Sequence, residues 1–299
     1  MSAISKGSLF PPELAKEMFS KVKGHSSLAK LSAAEPVPFN GKDIFVFDFS
    51  NKLSIVGESG AKPAGDAAIT SKQIRPIKVV YQARVSDEFM TASEEDQIPT
   101  MEAFADGFSK VIGAGLDEMA FHGVNPASGS ASDLIGNNHF DYVITAGNTI
   151  ELGHDSSEFD ANLEEAIGKV EDTERVVTGI AMAPAGRKAM AALTKLNGER
   201  RYDDFAFGAV PANLGSCTLD INPTVSANSS KDRAIVGDFQ NGFRWGFAKE
   251  LPIEIIEYGD PDGTGKDLKQ YNQVLLRCEA FIGWAIMDAA DFAKVAVNP

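Results

Sequence analysis

Apolar residues recur along this chain at two periods, and the changes of period mark its elements. Leu14, Met18 and Val22 repeat every four positions between Pro11-Pro12 and Gly24, which predicts a short helix with one apolar stripe. Asp43 to Phe49 is aromatic and β-branched and predicts a strand. Both periods vanish over residues 51–73, where Gly57, Gly60 and Gly65 mix with Lys52, Lys62 and Lys72, the pattern of a loop or loose hairpin. Ile74 to Met90 predicts the return strand, with Pro76 marking an edge or an irregularity. From Pro99 to about His122 the residues Met101, Phe104, Ala105, Phe108, Val111, Ile112, Leu116 and Met119 keep three-and-four spacing. That predicts a helix roughly 35 Å long. Gly107, Gly113 and Gly115 weaken it by about 1 kcal/mol each relative to Ala, so a bend or a close backbone approach is expected there.

After a Gly, Ser and Asn-rich passage at 123–138 the elements alternate: a helix from about Ser157 through Ile167, a strand at Val176–Met182, and a helix from Pro184 to Gly198. Strands follow at Cys217–Ile221, Ala234–Phe239, Phe243–Phe247, Ile253–Tyr258, Asn272–Ile282 and Phe292–Val297. No internal repeat and no regular β-α-β alternation occurs, so the class is α+β.

Composition narrows the function. The 299 residues are 43% hydrophobic and 23% charged, enough for a sizeable core. Against 42 acidic residues stand 28 basic ones, and the net charge of -14 disfavours gripping a phosphate backbone. Cys217 and Cys278 are far apart, which indicates neither a disulfide framework nor a zinc ribbon and suits an intracellular origin. No apolar run is long enough to cross a bilayer as a helix.

Local motifs for chemistry fail one after another. Gly259 to Lys266 is a near match to a phosphate-binding loop, but five residues separate Gly259 from Gly265 where four are needed, and Asp267 stands where Ser or Thr would hold magnesium. Asp260 and Asp262 have no glutamate at the spacing that closes a calcium loop. A hairpin tip is expected instead. His25, His122, His139 and His154 show no ligand spacing and are expected on the surface or in loops. No nucleophile elbow or dinucleotide fingerprint appears, so neither metal nor cofactor is implied.

The order of elements carries more than any motif. The loop Gly57-Glu58-Ser59-Gly60-Ala61-Lys62-Pro63, the segment Arg84 to Met90 before the long helix, Val236-Gly237-Asp238-Phe239 with Gly242, and Val274 to Glu279 continuing through Gly283 to Phe292 together resemble the major capsid proteins of tailed double-stranded DNA phages, the Hong Kong 97 type. The resemblance runs from about residue 8 to the end. It implies an N-terminal arm at 1–36, a peripheral domain from 37–50, 74–139 and 246–299 with a long spine helix, an E-loop at 51–73, and an axial domain at 140–245. The arm and the loop lack evident partners within the chain, so neighbouring copies are expected to receive them.

The implied function is self-assembly into pentamers and hexamers of an icosahedral shell enclosing double-stranded DNA without sequence-specific binding. A portal would be a partner, assembly would be guided by a separate scaffolding protein or by none, and a decoration protein is left open, with assembly in the host cytoplasm and no membrane. A long N-terminal scaffolding segment is not expected. In one branch of the family a loop lysine bonds covalently to an asparagine of a neighbour with help from a glutamate; Lys62, Asn272 and Glu279 occupy the matching positions. Asn272 and Glu279 are an odd number of positions apart, so one regular strand would turn them to opposite faces. Other readings are a nanocompartment shell of the same fold, and a soluble enzyme or binding protein.

Overall fold

The computed structural model describes residues 25–49, 55, 56, 58, 60, 67–88, 94–152, 158–250 and 253–297. The predicted helix at 11–24 lies outside them. The chain runs through α1 (Ser27–Leu31), β1 (Lys42–Phe49), β2 (Ala67–Ile74), β3 (Ile77–Ser86), α2 (Glu94–His122), β4 (Val124–Asn125), β5 (Ser130–Ala131), α3 (Phe140–Val143), β6 (Thr149–Leu152), α4 (Phe159–Glu171), β7 (Gly179–Met182) and α5 (Pro184–Ala192). It continues with β8 (Asn213–Leu214), β9 (Cys217–Ile221), β10 (Asp232–Gly237), α6 (Phe239–Gly242), β11 (Phe243–Glu250), β12 (Glu254–Ile256), β13 (Gln273–Ile286) and β14 (Phe292–Val297).

Two sheets organise these elements. The 14-residue β13 is the middle of a four-stranded antiparallel sheet: β3 lines one side over 273–282, and β12 and β11 follow each other along the other. The second sheet has the order β6-β14-β10-β7-β9-β8. Its inner strand β7 is Gly-Ile-Ala-Met and wholly buried, as a strand covered on both faces must be. The last strand departs from the expected division: β14 pairs with β10 and β6, so 292–297 belongs to the six-stranded sheet rather than with the rest of 246–299.

The long helix α2 spans 29 residues, about 44 Å, and starts five positions before Pro99. Phe108, Ile112, Leu116 and Met119 are buried under the four-stranded sheet beside Trp245 and Trp284, which face each other across β11 and β13. Val111 is off this stripe and 46% exposed. Gly107 faces open space and Gly115 meets only Pro126 at 3.6 Å, so neither permits the close approach expected of them. Gly246 does: a Cβ there would lie 1.7 Å from the Glu35 carbonyl oxygen, because residues 34–35 cross β11, with the Glu35 amide bonded to the Trp245 carbonyl at 2.8 Å.

That crossing belongs to a segment expected to be a free arm. Residues 26–35 are instead part of the core: Leu28 and Ala29 are buried, and α1 packs against α2 and β9. Its cap explains why. Asp117 of α2 accepts from Ser26 Oγ at 2.6 Å, Ser27 N at 2.8 Å and Leu28 N at 3.2 Å, tying the first turn of α1 to the long helix.

Elsewhere the loop expected at 51–73 is shorter than predicted. Ala67–Ile74 already pairs antiparallel with β1, from Lys42↔Ile74 to Phe49↔Ala67, and Arg75-Pro76 separates this limb from β3. The two sheets meet at an aromatic hub in which Phe140 lies 4.8 Å from Phe292, 5.5 Å from Phe121 and 5.6 Å from Phe243, ring to ring.

Candidate functional site

Lys62 lies outside the described residues. Asn272 ends the turn before β13 in a left-handed conformation, φ 52°, and its carbonyl accepts from the Asp87 amide at 2.9 Å. Glu279 lies in the middle of β13, its side chain 21% exposed and paired with Lys78 at 2.8 Å. Seven positions of extended chain set Asn272 and Glu279 roughly 23 Å apart. The structure does not bring the two together within one copy.

The 257–272 connection is built around one side chain. Gly259, Gly263 and Gly265 all adopt positive φ, as a tight tip requires. Arg84 of β3 reaches into it, donating from Nε to Asp262 at 2.7 Å, from Nη2 to Asp260 at 2.8 Å and Thr264 Oγ1 at 2.6 Å, and from Nη1 to the Lys266 carbonyl at 3.0 Å. Asp262 lies well below the usual carboxylate range because of that guanidinium. The oxygens that suggested a calcium loop surround an arginine.

His122 departs from its expectation of surface or loop. It closes α2, only 8% exposed, with Nδ1 2.8 Å from Asp141 Oδ2 and Nε2 2.9 Å from the Thr224 carbonyl. A carbonyl only accepts and the Asp141 carboxylate is ionised, so both ring nitrogens donate and the ring is an imidazolium. Lys294 of β14 completes the group, 2.8 Å from Asp141 and 3.2 Å from the buried Asp232. Two cations thus face two carboxylates.

The titration of each follows from its surroundings. Burial pulls the His122 pKa down, but Asp141 and Thr224 outweigh it and the net shift is upward. Burial would raise Asp141, yet His122 and Lys294 hold it far below the usual range. Burial and the charge of Asp141 push Asp232 up to about 6. His122, Asp141 and Asp232 offer ligand atoms within 4.8 Å of one another, but the Lys294 ammonium already pairs with both carboxylates, and both imidazole nitrogens are engaged. The cluster reads as an internal ion network joining α2, α3, β10 and β14. Sequence spacing could not show it, since its members are spread over 172 positions from His122 to Lys294.

A different kind of surface surrounds β1 and β2. The hairpin they form has no third strand among the described residues, and its strands carry Phe45 at 63% and Ile69 at 61% exposure, with Ile55 of the connection exposed as well. A groove of about 590 Å³ opens between β3, α2 and the β4–β5 turn, lined chiefly by apolar side chains including Val79, Phe108, Ile112 and Ile135. Val80, Val111 and Leu134 stand exposed on its rim, Leu134 at 79%. Such patches mark contacts with other molecules.

Comparison with known proteins shows the family and the fold. The profile of the phage capsid family matches residues 6–297. A solved structure from Mycobacterium phage Ogopogo superposes with a TM-score of 0.77 at 29% identity, covering 92% of this chain and 92% of that one. One from Gordonia phage Cozz gives 0.76 at 24% identity, covering 92% and 87%. A third, the capsid of an empty GTA particle computed with C5 symmetry, shares the fold with a TM-score of 0.63 at 14% identity, covering 92% and 97%. No curated protein matches. The chain therefore belongs to the phage capsid family, has the Hong Kong 97-type α+β fold, and is a major capsid protein, a structural component of an icosahedral phage shell rather than an enzyme.

Proposed function

We propose that copies of this chain join head to tail, the β1–β2 hairpin of one lying in the apolar groove of the next, and close into the pentamers and hexamers that tile the shell. The observation that carries this is the hairpin itself. Two strands alone are marginal in water, and this pair displays Phe45 and Ile69 to solvent. A groove rimmed by Val80, Val111 and Leu134 is its chemical complement. Contacts of this kind, using different surfaces on the two partners, close into rings when the rotation permits. In this reading the four-stranded sheet and α2 form the peripheral part and the six-stranded sheet the axial part. Portal, scaffolding and decoration proteins are its partners, and the shell assembles in the host cytoplasm. A net charge of -14 suits a wall that encloses double-stranded DNA without holding its backbone.

Negative-stain microscopy of the chain, purified alone and produced together with its scaffolding protein, tests the proposal. Rings or closed particles are expected from the unaltered protein and none from Leu134→Asp; a monomer under both conditions overturns it.

The proposal extends to a covalent bond in mature shells. The Lys62 amine of one copy attacks the Asn272 carboxamide of another, a C–N bond forms and ammonia leaves, with Glu279 of a third copy taking the amine proton and passing it to the departing nitrogen. Glu279 suits that task by being largely buried, but Lys78 holds it in the single chain, so the arriving loop must displace Lys78. A denaturing gel of mature particles is expected to show a ladder that Lys62→Ala removes; only monomer in the unaltered protein overturns this part.

A further inference from the structure

Two side chains of α2 hold one residue at the end of the six-stranded sheet. The turn Pro223–Ser226 carries the chain from β9 to β10 across the end of β7, where the Asn222 amide donates to the Met182 carbonyl at 3.0 Å. From α2, Asp117 accepts from Thr224 Oγ1 at 2.8 Å, and His122 Nε2 stands 2.9 Å from the Thr224 carbonyl. The same carbonyl accepts from the Ala227 amide at 3.2 Å, which closes the turn. Helix and sheet are thus joined through the hydroxyl and the carbonyl of one threonine.

The two holds make different demands. Asp117 only has to accept, and Ser26, Ser27, Leu28 and Thr224 all donate to it. His122 has to donate from both ring nitrogens at once, which only the imidazolium can do. When the ring gives one proton to solvent, Nδ1 keeps its own, because the ionised Asp141 carboxylate at 2.8 Å is a stronger acceptor than a neutral carbonyl. Nε2 then turns a lone pair toward the Thr224 carbonyl. Acceptor faces acceptor, and that contact opens.

We infer that His122 is a proton-operated latch between α2 and the six-stranded sheet: as imidazolium it holds the Pro223–Ser226 turn to the end of the helix, and as neutral imidazole it lets the turn go. The charged groups around the ring set when this happens. Asp141 of α3 and Asp232 of β10 favour the imidazolium, whereas Lys294 of β14 and His139 before α3 oppose it. The net shift is upward from a free histidine's ~6.5, so the latch is shut below about pH 6.5 and opens as pH climbs through the raised value. Asp117, pushed up to about 6 by burial, is an anion across that range and keeps its hold on the Thr224 hydroxyl. The turn is therefore loosened on one side only. The device lies within a single chain and holds whether or not shells form.

Two measurements on the full, unassembled chain at about pH 6 and about pH 8.5 test it. With the histidine rings labelled with nitrogen-15, nuclear magnetic resonance is expected to show both His122 nitrogens protonated at the lower pH and Nδ1 alone at the higher. Hydrogen exchange, with the intrinsic pH dependence divided out, is expected to show protection of the Val225 and Ala227 amides falling at least about tenfold over the same range. His122→Gln places a permanent donor near the Nε2 position and is expected to abolish that fall, while His139→Gln leaves it intact. A His122 ring still protonated at Nε2 at the higher pH, unchanged protection in the unaltered chain, or a fall of equal size in His122→Gln overturns the inference.

Discussion

The junction around His122 and the hairpin of β1 and β2 treat their side chains in opposite ways. At the junction His122, Asp141, Asp232 and Lys294 are balanced two against two, and Asp117 nearby takes Ser26, Ser27, Leu28 and Thr224 as donors. The hairpin leaves Phe45 and Ile69 facing water. The first region has its partners within one copy, whereas the second leaves apolar side chains exposed among the described residues. Stability of the single chain and assembly of the shell should therefore separate under mutation.

The largest effect is expected from Lys294→Met, which leaves two carboxylates with one imidazolium. Breaking a buried ion group from one side costs about 3–5 kcal/mol, measurable by urea unfolding of the unassembled chain. A loss under about 1 kcal/mol would mean that the network is not an internal support. Asp117→Ala comes next. It strands the Ser26, Thr224 and backbone donors in a site with no exposure, for about 3 kcal/mol, with Asp117→Asn losing less because an acceptor remains.

Acidity should sharpen the contrast further. A free histidine titrates near ~6.5 and His122 is raised in the fold, so its contribution is full below about pH 6.5 and lost as pH climbs through the raised value. Asp232 and Asp117, both pushed up mainly by burial to about 6, bind a proton in the fold before they do unfolded, so stability also grows as pH falls from about 6 toward ~4. His139, lowered by burial, works the other way, and Asp141 loses its contribution progressively as pH falls below ~4. Melting temperature is thus expected to drop between pH 6 and 8.5, and His122→Gln to flatten that drop. An equal slope in the variant would place the titration elsewhere. The smallest effect on stability is expected from Leu134→Ser: within about 0.5 kcal/mol for the unassembled chain, although particle yield falls.

Much of this was legible along the chain. Period and turn residues located α2, the strand at Phe292–Val297 to the residue, and the tip at 260–265. The order of elements was enough to reveal the family. Less legible were the ends of elements and every long-range pairing. Residues 26–35 read as a free arm because their partner, Asp117, lies about ninety positions away and nothing local in Ser26-Ser27-Leu28 announces it. His122 read as a stray histidine for the same reason.

Local composition thus settles which stretches become helix, strand or turn, because backbone preference and side-chain period act over a few residues. It also settles that the chain is acidic and carries no local catalytic motif. Which sheet receives β14, that Arg84 fills the loop at 260–265, and that four distant charges neutralise one another beneath the aromatic hub were decided only when the chain closed on itself. Burial makes a charge costly until an opposite one meets it, and sequence distance does not limit who that partner is.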